Sequence, residues 1–218
     1  MLVNGLPGDC IHADDRGLAY GDGVFRTLRL HDGQPLHWRR HFNKLRDDCA
    51  ALGLNCPDET TLLNELGQLS VRHAESVAKI IITRGRGERG YARPVAAGHT
   101  RIIDCQPLPV YPSEFYSAGI ATGFRRIKLG HQPALAGIIH LNRLVIVLAA
   151  TEWREAGWAE GLLEDETGEI IGGTRSNLFL VRNGMLCTPE LARCGVAGVQ
   201  RERVMAWADH HKVECRIT

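Results

Sequence analysis

The sequence predicts an α+β fold in two parts, and three observations carry that expectation. Strand-like and helix-like stretches interleave without a strict βαβ rhythm, which argues for α+β layers rather than a doubly wound parallel sheet. Asn4-Gly5, Asp32-Gly33 and Asn183-Gly184 each lie between apolar runs, the pattern of tight antiparallel hairpins. Gln106 to Pro112, QPLPVYP, carries prolines that resist regular structure, so a linker is expected at 106–112. It would join a smaller N-terminal α+β domain, 1–105, to a larger C-terminal one, 113–218.

In order, Met1 to Val3 is a short strand that turns at Asn4-Gly5, and Val24 to Leu30 is a strand that turns at Asp32-Gly33. Trp38, Phe42, Leu45, Cys49 and Leu52 recur at helical spacing, predicting a helix over Trp38 to Leu52. Thr60 to Arg72 reads as a second amphipathic helix with Leu62, Leu63, Leu66 and Leu69 on one face. The β-branched run Val77 to Thr83 is a strand, followed by a glycine–arginine loop at Arg84 to Tyr91 and a strand at Arg101 to Cys105. Beyond the prolines, Ile120 to Ile127 is a strand and Ile138 to Ala156 a long helix. Glu160 to Asp165 and Glu169 to Ile171 flank a turn, and Asn177 to Arg182 pairs through Asn183-Gly184 with Met185 to Thr188. Gly195 and Gly198 mark the start of a last helix, Val199 to His211.

Composition narrows the function classes. The 218 residues are 44% hydrophobic and 23% charged, ordinary globular values. A net charge of +1 leaves no basic excess for nucleic acid or a membrane surface. No apolar run approaches bilayer length, and MLVNGLPGDC lacks the basic-then-apolar pattern of a signal peptide. The seven cysteines are odd in number and scattered, with no CxxC pair or Cys/His ligand spacing. Reduced thiols in a cytoplasmic protein, and no metal site, are expected.

The motifs arrive in a recognisable order. Arg16-Gly-Leu-Ala-Tyr-Gly-Asp-Gly-Val-Phe25 is followed by Arg26-Thr27, by His41-Phe-Asn-Lys44-Leu and by the RGxGxRGY run at Arg84 to Tyr91. The second half adds Leu135 to Leu144, LAGIIHLNRL, then Gly172 to Phe179, GGTRSNLF, and Cys194 to Arg201, CGVAGVQR. Over nearly the whole chain this resembles the aminodeoxychorismate lyases of the class IV aminotransferases, the branched-chain-aminotransferase-like enzymes that use pyridoxal 5'-phosphate. The resemblance implies their two-domain fold, a homodimer and a small-molecule substrate. Their reaction converts 4-amino-4-deoxychorismate to 4-aminobenzoate and pyruvate, in folate biosynthesis. It further implies that Thr27 lies near the cofactor and helps handle protons, and that Lys44 grips the phosphate. The turn at Val196 and Ala197 would offer backbone N–H groups and a helix N-terminus to the same phosphate.

Departures from the family pattern are as specific. The Schiff-base lysine position is Ile139, and the glutamate against the pyridine nitrogen is Gly172. Where relatives commonly carry a glutamate after HLNRL, this chain has Val145, then Ile146. The family also continues for several dozen residues beyond the point matching Thr218, completing the large domain. Isoleucine can neither bond the cofactor nor shuttle a proton, so a lyase scaffold that is inactive or severely impaired is expected. One alternative is a non-catalytic binding or partner protein on the same scaffold. Another is an active lyase or class IV aminotransferase using a displaced lysine, with Lys128 the residue considered ahead of Lys44, Lys79 and Lys212. On the expected helix His140 points about 100° away from Ile139 and would not replace it.

Overall fold

The computed structural model describes residues 1–71, 74–94, 98–124 and 126–218. The chain divides into two units: Met1–Val110 with Ile139–Asn142, and Tyr111–Ile138 with Arg143–Thr218.

The first unit contains β1 (Leu2–Val3), β2 (Leu6–Pro7), α1 (Arg16–Tyr20), β3 (Gly23–His31), β4 (Gln34–Pro35), α2 (Trp38–Leu52), α3 (Glu59–Ser70), β5 (Ser76–Thr83) and β6 (Thr100–Pro107). The strands form one antiparallel sheet in the order β2-β1-β6-β5-β3-β4. Asn4 and Asp32 occupy the left-handed region, as the expected hairpins require. Ala78, Ile80 and Ile82 of β5 are fully buried at alternate positions, with Val24, Leu28 and Leu30 of β3 opposite or adjacent and Ile103 of β6 paired to Ile80. Leu45, Cys49, Leu62 and Leu66 of the two long helices complete this buried apolar set. Each buried valine, leucine or isoleucine of this set contributes about 1.5–3 kcal/mol of transfer free energy. Helix α2 has the expected bounds, and α3 is shifted by a residue or two, its expected end at Arg72 lying outside the described residues. β6 runs on to Pro107, pairing Gln106 with Val77 and Pro107 with Ser76, so the first part of the expected linker is strand.

The second unit contains α4 (Glu114–Ser117), β7 (Thr122–Phe124), α5 (Leu144–Glu155), β8 (Glu160–Glu164), β9 (Ile170–Gly173), β10 (Leu180–Arg182), β11 (Met185–Thr188), α6 (Val199–His210) and β12 (Cys215–Ile217). Two three-stranded sheets result, β7-β8-β9 and β10-β11-β12. In the first, β7 and β8 are parallel and joined through α5; in the second, β11 and β12 are parallel and joined through α6. The expected strand at Ile120 to Ile127 shortens to β7, with Arg125 outside the described residues, and Asn177 to Arg182 shortens to β10.

The expected helix from Ile138 is corrected. It begins only at Leu144, and Ile139 to Leu141 pairs alongside β3. Gly137 turns the chain at φ 78°, and His140 then bridges Val24 in antiparallel register. Phe25 N–H donates to the Ile139 carbonyl at 3.0 Å, and Leu141 N–H to the Gly23 carbonyl at 2.9 Å. The open edge of β3 takes up backbone groups that a helix would have used internally, and β-branched residues suit that role. His140 therefore alternates with Ile139 across a strand-like segment instead of lying a helical step away.

Candidate active site

In the first unit the geometry centres on Asp48. Along β3 the inward positions are Val24, Arg26, Leu28 and Leu30, so Arg26 takes a core position between leucine and valine neighbours. Its guanidinium donates to Asp48 Oδ2, and both side chains are 2% exposed. Lys44, one helical turn before Asp48 and 20% exposed, donates its amine to Oδ1. The Ile139 backbone N–H donates to Oδ2 at 3.2 Å. One buried carboxylate thus gathers two cations and the peptide that carries residue 139. Burial pulls the Arg26 pKa down against the opposing pull of Asp48.

The pairing of His140 with Val24 sets Ile139 opposite Phe25, on the face of β3 that also bears Thr27. Thr27 is exposed there and pairs with Lys79, whose amine lies 4.9 Å from the Phe25 ring centroid. Thr27 and Ile139 therefore share a face, whereas Lys44 is held by Asp48 on the inward one. Lys128 lies in the second unit, 3.2 Å from Glu164.

The signature runs Arg16 to Phe25 and Arg84 to Tyr91 assemble into a second polar knot in the same unit. Asp22 receives Arg84 through two bonds, at 2.7 and 3.0 Å, and Arg16 at 3.0 Å. Arg84 also donates to the Leu52 and Gly53 carbonyls at the end of α2, and Arg16 to the Gly90 and Tyr91 carbonyls. The motif is a clamp that ties three loops together. Gly17 is required beside it, because a Cβ there would stand 2.3 Å from Thr83 Cγ2.

This clamp predicts a pH dependence. Burial alone would raise the Asp22 pKa, but the bonds from Arg84 and Arg16 outweigh it and hold the carboxyl below its ordinary 3.8. A folded value below the unfolded one means that the stabilisation is complete above about pH 4 and is lost as pH falls toward the folded pKa. Urea midpoints measured from about pH 6 to about pH 3 are expected to drop more steeply for the parent than for Asp22→Asn. Parallel curves would refute this.

In the second unit, Gly172 is buried in β9 opposite Leu163. A Cβ there would lie 3.0 Å from the Ser176 carbonyl oxygen, a tight but adjustable contact. The adjoining turn is organised by Glu160, 6% exposed, which accepts from Gly161 N–H, Thr174 N–H and hydroxyl, and Ser176 hydroxyl. Asn177 braces the glycine turn, donating to the Val196 carbonyl at 2.8 Å and accepting from Gly198 N–H at 3.2 Å. Ala197 N–H is spent on the Gly137 carbonyl at 3.1 Å. The amides ahead of the first intrahelical bond of α6, Glu202 N–H to Gly198 O, are those of Val199, Gln200 and Arg201. Val145 is 42% exposed on α5.

Sequence reasoning missed Arg26, Asp48 and Glu160. Two signals could have found the first pair: Arg26 falls on the inward phase of an alternating strand, and Asp48 stands four residues after Lys44. Glu160 had no such signal, since its side-chain partners Thr174 and Ser176 lie 14 to 16 residues further along the chain.

Among the described residues no helix is long and apolar enough to cross a membrane. The family model for amino-transferase class IV matches residues 23–218. The aminodeoxychorismate lyase of Vibrio harveyi is 33% identical over 205 residues, which are 94% of this chain and 76% of that protein. The crystal structure of 4-amino-4-deoxychorismate lyase from Pseudomonas aeruginosa superposes with a TM-score of 0.94 at 42% identity, covering 99% of this chain and 80% of that one. The branched-chain amino acid aminotransferase of Escherichia coli superposes with a TM-score of 0.81 at 24% identity, a likeness of fold alone.

Proposed function

The chain belongs to the class IV aminotransferase family, and we propose that it is an aminodeoxychorismate-lyase scaffold whose pyridoxal-phosphate chemistry is lost or severely impaired. One observation carries the reading. The residue 139 backbone is bonded at both its amide and its carbonyl, and its side chain, on the face shared with Thr27, is a hydrocarbon. The family resemblance calls for an amine there. A positioned acid–base group is worth about 10²–10⁴-fold in rate, and the missing covalent step adds to that deficit.

The residues present do not fit a cofactor bonded to residue 139. Lys44, proposed for the phosphate, is already paired with Asp48, a carboxylate it shares with Arg26. Gly172 offers the pyridine nitrogen no carboxylate, and Ala197 has already spent its amide on Gly137. Noncovalent retention would rest, within the second unit, on the amides that open α6. A cytoplasmic homodimer, which would take a small-molecule substrate only if activity remains, completes the proposal.

The test is intact mass after incubation with pyridoxal phosphate and borohydride reduction, beside an assay for pyruvate released from 4-amino-4-deoxychorismate. No adduct and no pyruvate are expected. A stoichiometric adduct mapped to any one lysine, Lys128 included, with pyruvate release would overturn the reading.

A further inference from the structure

Three loops of the second unit bring an imidazole, a carboxylate and a thiol together. His131 precedes the Gly137 turn, Asp165 follows β8, and Cys194 precedes the Gly195 turn into α6. One ligand-type atom from each lies within 4.8 Å of the other two. Asp165 is fully buried and Cys194 is 7% exposed, while His131 is 20% exposed and gives access from solvent. No family motif named above includes His131 or Asp165, and Cys194 stands only at the first position of one.

We propose that His131, Asp165 and Cys194 form a binding site for a zinc-class divalent transition-metal ion, with water as the fourth ligand. Nitrogen, oxygen and sulfur donors together select such ions over magnesium or calcium, and three protein ligands with one open position is a recurrent tetrahedral arrangement. Ligands about 2.0–2.3 Å from a tetrahedral ion stand about 3.3–3.8 Å from one another, a spacing this cluster brackets.

The surroundings orient each donor. Asp165 Oδ1 accepts from Thr167 N–H at 2.9 Å, Thr167 hydroxyl at 2.7 Å and Glu169 N–H at 3.0 Å. That leaves Oδ2 turned to His131 Nε2, 2.7 Å away. The other ring nitrogen, Nδ1, lies 3.1 Å from Glu166 Oε1. Histidine ligands commonly hold such a carboxylate on the nitrogen that faces away from the metal. The loops themselves are tied: Gln132 N–H donates to the Arg193 carbonyl at 2.8 Å, Leu129 N–H to the Glu164 carbonyl at 2.8 Å, and Glu166 N–H to the Leu129 carbonyl at 3.2 Å. An entering ion replaces the His131–Asp165 hydrogen bond, opening that pair by about half an ångström. It takes Cys194 as thiolate, releasing the thiol proton to solvent. The nearby cation, Arg193, lies 3.8 Å from Asp165 Oδ2 and is 51% exposed, so it can turn outward.

A second cluster, His31, Asp32 and Glu75, also meets the distance condition. All three of its residues are exposed, it lacks a sulfur donor, and it serves as the internal control.

The test is titration of the full chain with Co²⁺, then displacement by Zn²⁺. One equivalent is expected to give the thiolate-to-cobalt charge-transfer band and the intense d–d bands of a tetrahedral site. Zn²⁺ should abolish both and raise the melting temperature. Cys194→Ser should remove the charge-transfer band. His131→Gln, a change at a side chain 20% exposed that should leave folding intact, should weaken binding at least tenfold. His31→Ala should leave the spectrum unchanged. A charge-transfer band that survives Cys194→Ser, or a parent chain that shows none, overturns the proposal.

Discussion

Replacing Asp48 with alanine is expected to lower the unfolding free energy by about 3–5 kcal/mol. That is a large share of the roughly 5–15 kcal/mol by which domains are stable. Arg26 would keep its charge at a position 2% exposed and lose the Asp48 counter-ion, and the Ile139 amide would lose its acceptor. Lys44 can extend to water, so Lys44→Met should cost no more than about 1 kcal/mol. The double change Arg26→Met with Asp48→Leu should recover most of the loss, because an apolar pair carries no desolvation penalty. Urea unfolding of the four proteins decides it. A loss below about 1 kcal/mol for Asp48→Ala would mean that solvent reaches the pair and that the core reading of Arg26 is wrong.

The second large effect is a gain. Ile139→Lys combined with Gly172→Glu is expected to raise pyruvate release from 4-amino-4-deoxychorismate by at least about 10²-fold over the parent with pyridoxal phosphate present. The backbone at 139 already sits in a fixed register against β3, so a lysine there would start from a set Cα position on the face of Thr27. Gly172→Glu alone should be inactive and somewhat less stable, since its Cβ would press on the Ser176 carbonyl at 3.0 Å. Ile139→Lys alone should regain the borohydride-stable adduct but little turnover. If the double variant releases no pyruvate, the proposed lyase ancestry fails.

The first unit was largely legible in the sequence. Helix α2 and strand β5 were readable because one face of each is buried, which imprints a period of 3.6 or 2 on the residues. The glycine hairpins were readable because φ must be positive at their tips. What escaped was non-local. Ile139 to Leu141 is mostly apolar and lies just before a real helix, and only the open edge of β3, more than a hundred residues earlier, makes it strand-like. The roles of Arg16 and Arg84 were hidden for the same reason: their motifs were visible, but the shared partner Asp22 is a fact of tertiary structure. The His131, Asp165 and Cys194 cluster has no spacing to notice, because its members are 34 and 29 residues apart along the chain.

The return of four residues, Ile139–Asn142, to the first unit governs how the protein can be made and cut. On the ribosome, residues 1–110 emerge with one edge of β3 still bare at Gly23 to Phe25. At about 5–20 residues per second, the capping segment follows some seconds later. During that interval an unpaired strand edge is open to other chains, a natural point of engagement for holdase chaperones. The same threading means that a protease cutting once near Val110 leaves the first unit's last strand segment on the other fragment.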